Sequence, residues 1–261
     1  VVAQPSHMGS QLTAWALDLD GVIWRGTDTV PGSPEAVELL RNAGHRVAFV
    51  TNSALRTPAQ VADKLASHGI DDAEAEVVTA AMAAATMVEP EERVLAIGSE
   101  GLLKALSERG AELVTDGPAS AVIVGITFEF DYDSMRRAMQ AIHDGARFIA
   151  TNLDPTYPAA DGLLPGNGAL VAAVAAAAGV EPAVAGKPFA PIAALTRSLI
   201  GEDGIMIGDR PDTDGDFATE MGYDFGLVFS GVTSPADLPV TPTPSVTGDD
   251  LLTLVRSSLG A

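Results

Sequence analysis

The chain has 261 residues, of which 47% are hydrophobic and 19% charged, and its formal charge is −20 at pH 7. This length and apolar content are sufficient to bury a core in one large domain or two smaller ones. Only 15 lysines and arginines stand against 35 acidic residues, which excludes the broad basic surface of a nucleic-acid-binding protein.

Three features of the sequence bear on the extent of the fold and on the compartment of the protein. The opening VVAQPSHMGS resembles an expression-tag remnant, so we expect residues 1–10 to stand outside the fold. The sequence contains no cysteine, which excludes thiolate chemistry and agrees with a reducing, cytoplasmic location. The longest apolar stretch, at 169–180, is too short to span a bilayer and predicts a core helix, so no membrane association is expected.

Segments typical of strands and helices alternate along the chain. In chain order they are a strand ending at Leu17, a helix over 33–44, a strand over 46–50, helices over 57–69 and about 79–88, strands over 204–209 and 224–232, and a helix over about 248–258. Ser33 is the predicted N-cap of the first helix, and Thr57 with Gln60 predicts a capping box at the second. This alternation predicts βαβ units and an α/β fold with a parallel, doubly wound, Rossmann-like sheet.

The stretch 91–182 has its own alternation of strands and helices, and the polar sequences EPEER and EPAVAGKP flank it. We therefore predict that 91–182 is a second α/β domain inserted into the first. The first domain then consists of residues 11–90 and 183–261.

Three of the predicted strands end in polar residues. Asp18 and Asp20 end the first, Thr51 follows the second, and Asp209 ends the strand over 204–209. The carboxyl ends of parallel strands lie along one edge of a sheet, so these residues are expected to converge there. Carboxylate oxygens are the ligands that Mg²⁺ prefers, and Lys187, which precedes a predicted helix, adds a second positive charge.

This set of groups is suited to phosphoryl transfer. A metal, a lysine, a hydroxyl and the backbone N–H groups around Gly21 can surround a phosphoryl group, whose transfer depends mainly on positioning and charge stabilisation. One aspartate can attack phosphorus, and the other can donate a proton to the leaving oxygen and later take one from water. The sequence therefore predicts a Mg²⁺-dependent enzyme acting on a small phosphorylated metabolite.

The same segments resemble a known family. DLDGVIW, FVTNS, GKP and IGDRPDTD resemble, in order and spacing, the four motifs of the haloacid dehalogenase superfamily. TNSALRT, IATNLDPTYPAADGLLPGNGAL and GDRPDTDGDFA narrow the resemblance to class IIA, the NagD-like phosphatases with a C2-type cap domain. The resemblance covers residues 12–258 and implies that 91–182 is the cap, through which such proteins commonly form homodimers.

The resemblance also implies a role for each matching residue. Asp18 is the expected nucleophile and a metal ligand, and Asp20 is the expected general acid and base, with its backbone carbonyl on the metal. Asp209 is the expected third ligand, and Asp214 supports the waters of the metal. The expected phosphate-binding residues are Leu19, Gly21, Thr51, Asn52, Ser53 and Lys187.

Two features of the sequence bear on substrate choice. The resemblance places a substrate-facing loop at TNLDPTYP, so Asn152, Asp154 and Tyr157 are candidates for recognising the leaving group, with a purely structural turn as the alternative. Such neutral and acidic groups favour glycerol 3-phosphate or a related polyol or sugar phosphate, with phosphoglycolate and p-nitrophenyl phosphate as further esters. Ser53 stands where many relatives carry a second asparagine, which bears on how the site is held around Asp20.

Two other functions fit the same residues. One is a phosphotransferase that passes the phosphoryl group to an alcohol instead of water. The other is a non-catalytic module that senses a metal or phosphate through an acidic pocket. Asp20 and an insert of about 90 residues count against the sensing module, because a receiver domain needs neither.

Overall fold

The computed structural model of the protein describes residues 14–159 and 162–260. The predicted tag remnant at residues 1–10 lies outside the described residues. The described chain divides into two units. The first contains residues 14–50, Lys64–Glu76 and residues 196–260, and the second contains Thr51–Asp63 and the described part of Val77–Leu195. The second unit includes the stretch 91–182 together with residues on both sides of it, so the boundaries of the inserted domain stay a prediction.

Strands and helices alternate along most of the described chain. The strands are β1 Ala14–Leu17, β2 Trp24–Arg25, β3 Asp28–Thr29, β4 Arg46–Thr51, β5 Val77–Thr79, β6 Arg93–Ile97, β7 Glu112–Val114, β8 Ala121–Val124, β9 Arg147–Ala150, β10 Thr156–Ala159, β11 Gly162–Pro165, β12 Ala183–Val184, β13 Gly204–Gly208, β14 Asp224–Val228 and β15 Val246–Gly248. The helices are α1 Ser33–Asn42, α2 Pro58–Ser67, α3 Ala80–Ala85, α4 Glu100–Arg109, α5 Tyr132–His143, α6 Asn167–Ala178, α7 Ala190–Ile200, α8 Asp216–Met221 and α9 Leu251–Leu259.

The first unit is built on a parallel sheet in which five strands lie in the order β15-β14-β13-β1-β4. β1 is fully buried, and β13 is buried along all but its first residue, because both are inner strands of this sheet. Leu17 at the end of β1 is paired with Ile207 of β13. The residues that follow these two strands therefore emerge side by side at one edge of the sheet.

The second unit has its own parallel sheet, in the order β12-β9-β8-β6-β7, and an antiparallel hairpin formed by β10 and β11. Its core packs apolar residues of β6, β8 and β9 against α5 and α6, with Val122, Phe148, Val171 and Val174 at most 5% exposed. The two parallel sheets with their helices confirm the predicted α/β class.

Local sequence signals explain how the helices begin. The capping box at α2 is confirmed, since the N–H of Gln60 donates to Oγ1 of Thr57 (3.2 Å) and the N–H of Thr57 donates to Oε1 of Gln60 (3.0 Å). The N-cap prediction at α1 is wrong by one residue. Gly32 is the N-cap there, and the Ser33 hydroxyl donates instead to the carbonyl of Ile23 (3.1 Å). A tertiary acceptor thus replaces the local capping bond.

Several short strands differ from the predicted elements. The chain around Tyr157 was predicted as a loop, and part of it forms the hairpin of β10 and β11. β5, β7 and β15 are each three residues long, too short to show an alternating pattern in the sequence. Among the described residues, no helix combines the length and the apolar character needed to cross a membrane.

Candidate active site

The turn that follows β1 fixes the positions of Asp18 and Asp20. The N–H of Asp18 donates to the carbonyl of Ile207 (2.9 Å), which continues the pairing with β13. The carbonyl of the buried Leu19 accepts the N–H of Ile23 (2.9 Å). Gly21 has a φ of +87°, a conformation that favours glycine. The turn leaves Asp18 partly buried and Asp20 exposed.

Two further carboxylates lie beyond the end of β13. Asp209 is 2% exposed, and its Oδ2 accepts the N–H of Val232 (2.6 Å). Asp214 is 1% exposed and lies in a turn of π-helix over Pro211–Gly215, a feature frequent at functional sites. Its Oδ2 accepts the N–H of Arg210 (3.2 Å). Backbone donors thus orient both carboxylates.

Asp18, Asp209 and Asp214 form a carboxylate cluster. One oxygen from each residue lies within 4.8 Å of the other two. The sequence assigned Asp214 only to the waters of a metal, whereas its carboxylate lies within this group. Three carboxylates so close together repel one another, and a divalent cation would offset that repulsion. An all-oxygen ligand set of this kind fits Mg²⁺.

Glycines allow the backbone to approach these carboxylates closely. A Cβ atom added at Gly231 would lie 1.9 Å from Oδ2 of Asp209, and one at Gly21 would lie 2.5 Å from the same oxygen. A Cβ atom at Gly208 would lie 2.2 Å from Oδ2 of Asp214. The absence of a Cβ atom at these glycines therefore leaves room for the carboxylates beside the backbone.

The predicted phosphate-binding residues Thr51, Asn52 and Lys187 belong to the second unit, where all three are buried. The hydroxyl of Thr51 accepts the N–H of Ser53 (3.1 Å), so the chain turns directly after β4. The side chain of Asn52 accepts the backbone N–H of Lys187 (2.7 Å) and donates to the Lys187 carbonyl (3.2 Å). Asn52 therefore fixes the backbone at Lys187.

The same asparagine joins the predicted leaving-group loop to this arrangement. Nδ2 of Asn52 donates to Oδ2 of Asp154 (3.2 Å), and Nδ2 of Asn152 donates to the carbonyl of Asn52 (2.7 Å). Oδ1 of Asn152 accepts the N–H of Asp154 (3.0 Å). We call Asn52, Asn152, Asp154 and Lys187 the three-loop network. Asn152 uses both ends of its amide inside it, which favours the structural alternative for this residue.

The remaining candidate for leaving-group recognition is Tyr157, which lies in β10 with a partly buried side chain. Two contributors to the site were not predicted from the sequence. One is Trp24, whose indole N–H donates to Oδ1 of Asp20 (2.9 Å). The other is the segment containing Gly231 and Val232, which holds Asp209. The sequence contains a signal for this segment, because FSG follows a buried strand in the same way that the acidic residues follow β1 and β13.

Comparison with known proteins agrees with this geometry. A family model described as haloacid dehalogenase-like hydrolase matches residues 15–112, and a second model of hydrolases of that type matches residues 184–254. An acid sugar phosphatase of Staphylococcus epidermidis is 34% identical over 86% of this chain and 89% of its own length. A 5'-nucleotidase of Bacillus subtilis is 38% identical over 84% of this chain and 88% of its own length.

A solved structure is also similar over nearly the whole chain. It is a glycerol phosphate phosphatase from Mycobacterium tuberculosis in complex with magnesium, with a TM-score of 0.88 and 33% identity. The match covers 95% of this chain and 77% of that one. The chain belongs to the haloacid dehalogenase-like hydrolase family, class IIA.

Proposed function

We propose that the protein is a Mg²⁺-dependent phosphatase that hydrolyses small phosphate monoesters. The observation that carries this proposal is the cluster of Asp18, Asp209 and Asp214 next to the ends of β1 and β13, in which one carboxylate oxygen from each residue lies within 4.8 Å of the other two. These positions lie in the sequence segments that resemble the family's motifs, and the named relatives are phosphatases of sugar phosphates, nucleotides and glycerol phosphate.

The residue roles in this proposal follow the motif match. Asp18 and Asp209 would hold Mg²⁺ through their carboxylates and Asp20 through its backbone carbonyl, and Asp214 would support the waters of the metal. When bound, Mg²⁺ offsets the negative charge of these carboxylates and of the substrate phosphate. The proposed phosphate-binding groups are the Lys187 ammonium, the hydroxyls of Thr51 and Ser53, and the backbone around Leu19, Gly21 and Asn52.

In the first proposed step, a carboxylate oxygen of Asp18 attacks phosphorus and the bond from phosphorus to the ester oxygen breaks. Asp20 gives its proton to that oxygen, so the alcohol leaves as a neutral molecule. This step leaves an aspartyl-phosphate on Asp18. Asp20 then takes a proton from water as the water oxygen attacks phosphorus, which releases inorganic phosphate and restores Asp18.

The proposed substrates are polyol and sugar phosphates, with glycerol 3-phosphate as the first candidate. Asp154 and Tyr157 can offer hydrogen bonds to a hydroxyl-bearing leaving group, and neither favours a second strong anion. A screen of glycerol 3-phosphate, phosphoglycolate, pyridoxal phosphate, sugar phosphates and nucleoside monophosphates, read as phosphate release, would rank these classes. Preference for phosphoglycolate over every neutral polyol phosphate would refute the assignment of the leaving group.

The test of the activity is phosphate release from p-nitrophenyl phosphate. We expect turnover with Mg²⁺, loss of turnover with EDTA, and a loss of several orders of magnitude in Asp18→Asn. Asp224→Asn is the matched control, since Asp224 is an exposed aspartate at the start of β14. Undiminished turnover by Asp18→Asn would contradict the mechanism. The absence of turnover on every ester tested would favour a sensing module, and transfer to added glycerol in preference to water would favour a phosphotransferase.

The proposal includes a cytoplasmic homodimer that assembles through the cap domain expected at 91–182. The cysteine-free sequence agrees with a reducing compartment. Large apolar side chains are exposed on the second unit, including Phe128 (72%), Tyr132 (76%) and Leu163 (71%). Sedimentation equilibrium tests the dimer, and a monomer at micromolar concentration would refute it.

A further inference from the structure

Trp24 is a buried residue that donates a hydrogen bond to an exposed carboxylate. Its side chain is 3% exposed, yet its indole N–H donates to Oδ1 of the exposed Asp20 at 2.9 Å. The backbone closes the same turn, since the N–H of Gly21 donates to the carbonyl of Trp24 (2.7 Å). A rigid buried ring thus directs its one donor at the carboxylate proposed to transfer protons.

Two further side chains contact the ring of Trp24. His68 stacks on it with 5.1 Å between ring centroids and an interplanar angle of 26°. The ammonium of Lys64 lies 3.7 Å from the ring centroid. His68 is fixed in turn by a hydrogen bond between its Nδ1 and the hydroxyl of Thr29 (2.7 Å). The indole N–H therefore has a defined position and direction.

The chemistry of indole decides which carboxylate oxygen carries the proton. An indole nitrogen can donate a hydrogen bond but cannot accept one. Oδ1 of Asp20 is the acceptor for Trp24, so a proton on the Asp20 carboxyl group is expected on Oδ2.

We propose that Trp24 is a positioning residue for proton transfer by Asp20, holding Oδ1 so that Oδ2 carries the proton to the leaving oxygen. This inference rests on the proposed function. The proton passes from Oδ2 to the ester oxygen while the bond from phosphorus to that oxygen breaks and the bond to Asp18 forms. Trp24 itself exchanges no proton.

Leaving groups of different basicity separate this role from a packing role. The alkoxide of glycerol 3-phosphate is strongly basic and needs a proton to leave, whereas p-nitrophenolate leaves without one. The ratio kcat/KM covers the steps up to phosphoryl transfer to Asp18, so it reports on protonation of the leaving group. General acid catalysis is worth about 10²–10⁴-fold, and imperfect placement of the acid loses part of that factor.

The experiment compares kcat/KM for the two esters in the wild type and in Trp24→Phe. We expect the value for glycerol 3-phosphate to fall about tenfold or more, and the value for p-nitrophenyl phosphate to fall less than about threefold. In an Asp20→Asn background, Trp24→Phe is expected to have no further effect on the ratio between the esters. An equal loss on both esters in Trp24→Phe would overturn the proposal.

Trp15 supplies a matched control. It is fully buried in β1, and its indole nitrogen has no hydrogen-bond partner among the described residues. Trp15→Phe therefore removes the same atoms from a buried site without removing a bond to a carboxylate. We expect it to change kcat/KM for both esters by the same factor. A selective loss on glycerol 3-phosphate in Trp15→Phe as well would contradict the role of Trp24.

A second variant covers the case in which Trp24→Phe fails to fold. Benzothienylalanine at position 24 keeps the shape of the ring and has sulfur where the indole has its N–H. The same selective loss on glycerol 3-phosphate is expected, and equal kcat/KM ratios in this variant and the wild type would overturn the proposal. If the wild type turned over no ester, the proposed function and this inference would fall together. If it turned over both and the ratio did not change, only the role of Trp24 would fail.

Discussion

Gly231→Ala tests whether the backbone around Asp209 is part of the proposed metal site. An alanine Cβ at this position would lie 1.9 Å from Oδ2, 2.4 Å from Cγ and 2.6 Å from Cβ of Asp209. Ordinary contact begins at 3.4 Å, so the carboxylate or the chain at Gly231 must move by about 1.5 Å. The N–H of Val232, which donates to Oδ2 at 2.6 Å, lies in the segment that would shift.

The size of the effect follows from these distances. Loss of a hydrogen bond to a charged group costs about 1.5–3 kcal/mol, and we expect the free energy of unfolding without metal to fall by that amount. Mg²⁺ tolerates little departure from octahedral geometry, so its Kd is expected to rise about tenfold or more. Misplacement of a catalytic group by about 1 Å costs about 100-fold in rate, which sets the expected loss in kcat/KM.

The assay is urea unfolding with and without Mg²⁺, combined with kcat/KM for p-nitrophenyl phosphate. Gly222→Ala is the control, because Gly222 has a φ of +71° and an added Cβ would meet nothing within 4 Å. Gly222→Ala is expected to lower the free energy of unfolding by about 1–2 kcal/mol through backbone strain and to keep the wild-type response to Mg²⁺. A wild-type response to Mg²⁺ in Gly231→Ala would refute the reasoning.

Two further variants test contacts elsewhere in the protein. Asn52→Asp replaces a donor that faces the Asp154 carboxylate by a second carboxylate, so we expect the free energy of unfolding to fall by about 2–4 kcal/mol in urea titrations. The control is Asn42→Asp, at the exposed end of α1, which is expected to lower the free energy of unfolding by less than about 1 kcal/mol. Equal losses in the two variants would contradict the role of Asn52. Burial lowers the pKa of His68, and the charge of Lys64 lowers it further. The unfolded chain therefore binds a proton at His68 more readily than the folded protein does. The contribution of the neutral His68 side chain to the free energy of unfolding is present above about pH 6.5, and it is lost as the pH falls from there through the lowered pKa. His68→Gln should therefore weaken the fall in unfolding free energy between pH 7 and pH 5, and an unchanged pH profile would exclude this cause.

The position of the aspartates at the sheet edge could be predicted, because each follows a buried strand that is recognisable from its own short segment of sequence. Buried strands ending in Asp18 and Asp209 are visible in the sequence, and parallel pairing brings such ends together. The structure pairs Leu17 with Ile207, so the two aspartates follow neighbouring strands. The roles assigned to individual residues stay predictions, since geometry alone does not fix which group attacks or transfers a proton.

The three-loop network could not be predicted, because its partners lie far apart in the chain. Asn52 contacts Asp154 across 102 residues and Lys187 across 135. No periodic pattern relates side chains at such separations. The prediction that Ser33 caps α1 was wrong for a similar reason. Its hydroxyl donates to the carbonyl of Ile23, a tertiary acceptor that the sequence does not reveal. The contact of Trp24 with Asp20 spans only four residues, but it depends on the shape of the intervening turn.

The three-loop network has a consequence for redirecting the enzyme to new substrates. Asp154 is proposed to recognise the leaving group, yet its carboxylate accepts a hydrogen bond from the Asn52 amide that also fixes the backbone at Lys187. A library at Asp154 would therefore select for compatibility with the backbone at Lys187 as well as for the new alcohol. Tyr157 lies in the β10–β11 hairpin, outside this network as defined above. Directed evolution of substrate choice should begin there.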